Sequence, residues 1–181
     1  VTDFANLDAR VDDCVRILGK IDIFINNAGL AAKADFMGDV FGVTYDDWDT
    51  VMNTNLKSMY FICRRVILVM KSTGSGGCII NIGSEQGFRP GGFTPYPISK
   101  CAVDYLTKGF GRRFIKDGIR VNSVAPGAVN TSLQQNDGIL PAKAIAATVC
   151  FLASEEAYAV SGETLIADRC EHLGVSWFSD R

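Results

Sequence analysis

Apolar and polar positions alternate on two different periods along this chain, and the switches between the periods mark its elements. Between Asn6 and Leu18 the apolar residues Leu7, Val11, Cys14, Val15 and Leu18 recur three and four apart and stop at Gly19, which predicts a helix. Residues 21–25 form a short apolar run that reads as a buried strand and ends in Asn26-Asn27-Ala28-Gly29. Thr44, with an acid three residues later at Asp47, looks like a helix start. The stripe Trp48, Val51, Met52, Leu56, Tyr60, Cys63, Ile67 and Met70 then predicts one long helix over 45–71. Asn55 interrupts that stripe, either as a satisfied core amide or as the site of a kink. Strands follow at 78–82, 119–124 and 163–167, and helices at 97–116, closed by Asp117-Gly118, and at 142–152.

Strand, helix, strand, helix with short buried strands implies an α/β chain: a doubly wound parallel sheet of Rossmann type, covered on both faces. The expected organisation is a single partial domain over 1–181, with 169–181 as an irregular tail. Ligands of such sheets sit at the carboxyl ends of the strands. Asn26 to Gly29, Ser84 and Pro126-Gly127 all fall at such ends.

Composition narrows the function classes. A formal net charge of -2 over 181 residues gives no electrostatic reason to expect nucleic acid or an anionic membrane surface. The longest apolar runs are far too short to span a bilayer, and no signal peptide opens the chain. Six cysteines stand without a C-x-x-C pair, so no metal site is expected and reduced core thiols in a cytoplasmic protein are. His172, the only histidine, reads as incidental. Gly74-Ser-Gly-Gly77 precedes a strand instead of following one, so it is a turn and no phosphate cradle. Residues 33–43 read as a rim loop.

The chemistry concentrates between Ser84 and Lys100. Tyr96 and Lys100 lie four apart, so a helix starting near Tyr96 puts phenol and ammonium on one face. A fixed cation within a few ångströms favours phenolate and moves a pKa of about 10 toward the working range. Ser84, delivered from a strand end, can hold the oxygen that gains or loses the proton. Pro97 biases Tyr96 toward the helix entry. Taken alone, such a pair is a common accident of amphipathic helices. Its company changes the odds.

Asn26-Asn27-Ala28-Gly29, Asn55, Ser84, Tyr96-x-x-x-Lys100, Arg120-Val-Asn-Ser-Val-Ala-Pro-Gly127 and Ser161-Gly162, in that order, resemble the compact branch of the short-chain dehydrogenase/reductase family. The resemblance implies hydride transfer between NAD or NADP and a small alcohol or carbonyl substrate. It makes Tyr96 the acid/base, Lys100 its tuning cation and the ribose anchor, Ser84 the polariser of the substrate oxygen, and Asn55 the anchor of a relay water. Asn27, Ala28 and Gly29 would line the adenosine side of the cofactor, and Pro126, Gly127 and Thr131 would frame its nicotinamide. The family's glycine-rich Thr-Gly-x-x-x-Gly-x-Gly segment is absent, so the 181 residues are expected to be a fragment, weak or inactive alone, with cofactor choice unreadable. After Asp168, where relatives continue with two glycines, stand Arg169 and Cys170. The segment after Thr131 looks trimmed.

The nearest rival reading is a degenerate member kept as a binding or scaffold subunit. The larger epimerase-like branch and a non-enzymatic interaction module are weaker rivals. Helices 45–71 and 97–116 are apolar on more than one face, which suggests a homodimer or homotetramer. Phe36, Phe88, Phe93 and Leu133 give the substrate pocket an apolar component.

Overall fold

A computed structural model describes residues 1–32, 38–89, 93–130 and 140–174. Helix α1 (Leu7–Leu18) leads into strand β1 (Ile23–Asn26). Helix α2 (Tyr45–Met52) passes through a π-helical turn (Asn53–Lys57) into α3 (Ser58–Thr73). Strand β2 (Gly77–Ile82), helix α4 (Pro95–Phe114) and strand β3 (Ile119–Pro126) follow. The short β4 (Val129–Asn130) and β5 (Leu140–Pro141) pair with each other. Helix α5 (Ala142–Ala153) and strand β6 (Thr164–Ala167) complete the elements.

The main sheet has the order β1-β2-β3-β6, parallel throughout. Because β2 and β3 bury both faces, they read as continuous apolar runs. One core joins Val11, Met59, Cys63, Val66 and Met70 to Ile79, Val103 and Val121, packing α1, α3 and α4 on one face. The other joins Cys78, Ile80 and Val124 to Val149 and Leu152 of α5. The strand expected to be buried at 21–25 is an edge strand with one open face, Ile23 and Ile25 of β1 being 51% and 47% exposed.

The capping box at Thr44 forms as expected: Asp47 N–H donates to Thr44 Oγ at 3.0 Å, and Thr44 N–H to the Asp47 carboxylate at 3.1 Å. Arg120 acts structurally, its guanidinium donating to Leu152 O at 2.8 Å and Ser154 O at 3.0 Å and so closing the end of α5. Asn122 sews β3 to the segment before β6 through Val160 O and Glu163 N–H.

Three further expectations need correction. The helix expected over 45–71 is not regular, because the ladder widens to π geometry around Asn55. The helix expected at 97 starts at Pro95; prolines are tolerated in a first turn because its N–H groups have no intrahelical acceptor. The thiols are not mainly in the core. Only Cys63 and Cys78 are buried, whereas Cys14, Cys101, Cys150 and Cys170 are exposed.

Candidate active site

Two strand ends, those of β1 and β2, meet the start of α4 at Lys100, with the end of β3 alongside β2. β1 ends at Asn26 and passes through Asn27 and Ala28 to Gly29, where a Cβ would lie 3.3 Å from Lys100 Nζ and 3.5 Å from Asn55 Oδ1. A side chain there would sit tightly against the Lys100 ammonium and in ordinary contact with Asn55, so glycine leaves room around the ammonium. β2 ends at Ile82, whose carbonyl accepts from Lys100 Nζ at 2.9 Å. Ser84 then caps a short 3-10 turn (Glu85–Gly87), its Oγ accepting from Gln86 N–H at 3.3 Å. Gly87 presses this turn onto α4, since a Cβ there would lie 2.8 Å from Cys101 N and Lys100 C. β3 ends at Pro126, and Gly127 N–H donates to Ala167 O at 3.1 Å.

Tyr96 is the second residue of α4, at the entry expected from Pro97, and Lys100 lies one turn on. The ammonium stands 5.6 Å from the centre of the Tyr96 ring, on the shared face. Lys100 is only 4% exposed, and burial lowers its pKa to about 8. A dry cation acts on its neighbours more strongly than a hydrated one.

Asn55 is a satisfied core amide. Its Nδ2 donates to Leu30 O at 2.8 Å and to Ser99 Oγ at 3.1 Å, and its Oδ1 accepts from Leu30 N–H at 2.9 Å. Ser99 Oγ in turn donates to Tyr96 O at 2.6 Å. One chain of hydrogen bonds therefore runs from the segment after β1, through the π turn, to the start of α4. Ser99 escaped the sequence reading because a serine inside a helix carries no signal by itself.

A family model described as enoyl-(acyl carrier protein) reductase matches residues 1–170. The 2-dehydro-3-deoxy-D-gluconate 5-dehydrogenase of Dickeya dadantii is 36% identical over 136 residues, covering 75% of this chain and 52% of its own length. The 3-oxoacyl-(acyl-carrier-protein) reductase FabG of Vibrio harveyi is 34% identical over 181 residues, covering 91% and 72%. The chain belongs to the short-chain dehydrogenase/reductase family. A solved short-chain dehydrogenase from Mycobacterium paratuberculosis bound to NAD matches with a TM-score of 0.85 at 31% identity, covering 95% of this chain and 72% of that one. As a short-chain dehydrogenase/reductase the chain spans between about half and three quarters of the length of these relatives.

The fold thus gathers Asn55, Ser84, Tyr96 and Lys100 with Gly29, and sets Pro126 and Gly127 on the neighbouring strand end. Thr131, Phe36 and Leu133 lie outside the described residues, as does most of the trimmed segment. Phe88 and Phe93 are exposed at 36% and 74%. Among the described residues no group of histidine, cysteine and acidic side chains could hold a metal ion, and no helix is long and apolar enough to cross a membrane.

His172 is not incidental. Its Nδ1 lies 2.8 Å from the carboxylate of Asp168, which is buried and also accepts from the backbone N–H of Cys170 and of His172. Burial pushes the Asp168 carboxyl up, but the His172 hydrogen bonds and charge pull it below the usual range overall. Glu85 is also buried, and burial raises its carboxyl despite the Arg89 guanidinium 3.2 Å away.

Proposed function

We propose that this chain is the catalytic part of an NAD(P)-dependent oxidoreductase acting on an alcohol or carbonyl carbon, with Tyr96 as acid/base. The observation that carries the reading is the dry ammonium of Lys100, held against the end of β2 and beside the Tyr96 ring. A bound nicotinamide supplies the hydride. Lys100 and Gly29 would provide the cation and the open backbone against which its ribose rests, Asn27 and Ala28 would continue toward the adenosine side, and Pro126 and Gly127 would frame the ring. Choice between NAD and NADP is not written in these residues.

Tyr96 gives its phenolic proton to the carbonyl oxygen during reduction and takes it back during oxidation. Lys100 favours the phenolate that remains. The Ser84 Oγ accepts from Gln86 and keeps its own proton for the substrate oxygen. Since the Asn55 side chain is committed to Leu30 and Ser99, the relay water would have to hang on its main chain, in the π turn where the helical ladder changes register. Among the described residues no glycine-rich turn links a strand end to a helix start as a pyrophosphate cradle would, so a whole dinucleotide should bind these residues weakly. Buried free thiols at Cys63 and Cys78 suit a reducing compartment such as the cytoplasm.

Reduced nicotinamide mononucleotide needs no such cradle, and its oxidation at 340 nm with a panel of small ketones and aldehydes tests the reading. The wild-type chain should accelerate the reaction, and Tyr96→Phe should lose about 10²–10⁴-fold of that acceleration. Equal rates in wild type and Tyr96→Phe would contradict the assignment.

We also propose self-association through α2–α3 and α4. These helices frame an open groove of about 820 Å³ lined by Leu56, Tyr60, Phe61, Tyr105, Leu106 and Phe110, with Tyr105 81% exposed. An apolar surface of this extent is costly to leave in water. Leu106→Lys should lower the sedimentation mass of the wild-type chain to that of one chain. A wild-type chain that sediments as a single copy at high concentration would contradict the proposal.

A further inference from the structure

We propose that the turn after β6, residues 168–174, is a clasp that fixes the distance between the Ser84 turn and the Pro126-Gly127 corner, with His172 and Glu171 as its positioning residues. The proposal rests on the nicotinamide reading above.

Four observations carry it. The first is contact: a Cβ on Gly127 would lie 2.7 Å from Asp168 Cβ and 3.4 Å from Glu171 Oε2, so the corner and the turn touch backbone to side chain with nothing between them. Any shift of Asp168 is passed directly to Gly127. The second is the hub. The Asp168 carboxylate accepts from Cys170 N–H at 2.9 Å and His172 N–H at 2.6 Å and meets His172 Nδ1 at 2.8 Å, so one buried carboxylate ties up the whole turn.

The third is an ion-pair bridge. Arg89 lies 3.2 Å from the carboxylate of Glu85, one residue beyond Ser84, and 3.6 Å from that of Glu171, so charge attraction without hydrogen-bond geometry links the end of β2 to the turn after β6. The fourth is strain. Arg169 and Cys170 have φ of 56° and 67°, the left-handed region that non-glycine residues avoid, and the Cys170 N–H is tied to the Asp168 carboxylate. Strain of this kind persists only where surrounding contacts over-determine it, and such places cluster at functional sites. Asp168, His172, Glu171, Arg89 and Glu85 are the charged and titratable groups facing one another here. They come from two strand ends that no local sequence pattern connects.

The nicotinamide of a bound cofactor would lie against Gly127 while the substrate oxygen would lie against Ser84. A clasp joining those two points sets the separation of hydride donor and acceptor, so it works through positioning. His172 and Glu171 touch neither reactant in this account.

Native-state hydrogen exchange on the ¹⁵N-labelled chain, together with titration by nicotinamide mononucleotide, tests it. In His172→Ala the Gly127 amide, bonded to Ala167 O, should exchange about tenfold faster while core amides of Ile80 and Val121 are unchanged. Mononucleotide affinity should fall about fivefold through lost preorganisation. His172→Asn, whose amide can donate near the position of Nδ1, should restore both. Glu171→Gln keeps the Asp168 hub and breaks only the bridge, so it should speed exchange at Gly87 and Phe88 in a chain that still folds. Unchanged exchange at Gly127 in His172→Ala, or faster exchange with unaltered mononucleotide affinity, overturns the clasp. A wild-type chain that never binds the mononucleotide overturns the nicotinamide reading itself, and the positioning role with it.

Discussion

Replacing Lys100 by Met should stabilise the chain by about 2 kcal/mol at pH 7 and at the same time remove about 10²-fold or more of any acceleration it gives. Burial holds the folded amine at about 8 against an ordinary value of 10.5. At about 1.4 kcal/mol per unit this is a penalty on the order of 3 kcal/mol, of which about 1 is returned by the hydrogen bond to Ile82 O that Met would forfeit. The sign follows from proton counting. Below about pH 8 the amine is charged in both folded and unfolded chains, and the full penalty applies. As pH rises from about 8 toward 10.5 the unfolded chain keeps a proton that the folded chain has shed, so stability increases. Cys63 works the other way, because burial pushes its thiol up to about 12 from 9.0 and stability drains away once the unfolded thiol ionises above pH 9. Burial raises the Cys78 thiol as well, in the same sense as Cys63. Wild-type urea midpoints should therefore rise between about pH 7.5 and about 9 as the folded Lys100 amine sheds its proton, and that rise should be smaller or missing in Lys100→Met. A Lys100→Met chain less stable than wild type, with the same slope, would show that the ammonium is not dry.

Cys170→Gly should raise stability by about 1 kcal/mol, and Arg169→Gly by somewhat less. A left-handed L-residue costs about 1–2 kcal/mol, and the entropy glycine gives up on folding recovers only part of that gain. Arg169 also has an interaction to lose in the exchange, which makes Cys170 the cleaner position. Calorimetry on the double variant should show a melting temperature about 4 °C higher. A lower one would mean that these side chains repay their own backbone strain.

The sheet was legible because β2 and β3 are buried on both faces and so read as unbroken apolar runs. Its strand ends were legible because glycine and amides collect where backbone must come close, as at Gly29. Helical spacing put Tyr96 and Lys100 on one face, as the structure has them, while their reading as a site came from the motifs around them. What escaped is what sequence distance hides. Pro95 and Pro97 look like breakers, yet a first turn is where proline's missing N–H goes unnoticed. The π turn around Asn55 depends on a contact with Leu30, twenty-five residues away. The demand for glycine at position 87 comes from α4 lying across it. Cys14 sat on an apolar stripe that only packing could assign to solvent. The left-handed backbone at 169 and 170 persists without glycine, held by a carboxylate and a histidine whose pairing no spacing rule announces.

If a nicotinamide binds this chain, its ring should lie where a phenol, a buried cation and a serine meet. Chemical-shift mapping of nicotinamide mononucleotide on the ¹⁵N-labelled wild-type chain tests it most directly. Saturable shifts are expected at the amides of Gly29, Ser84, Lys100 and Gly127. Shifts confined to α1 or to the α3–α4 groove, or none at millimolar ligand, would contradict it.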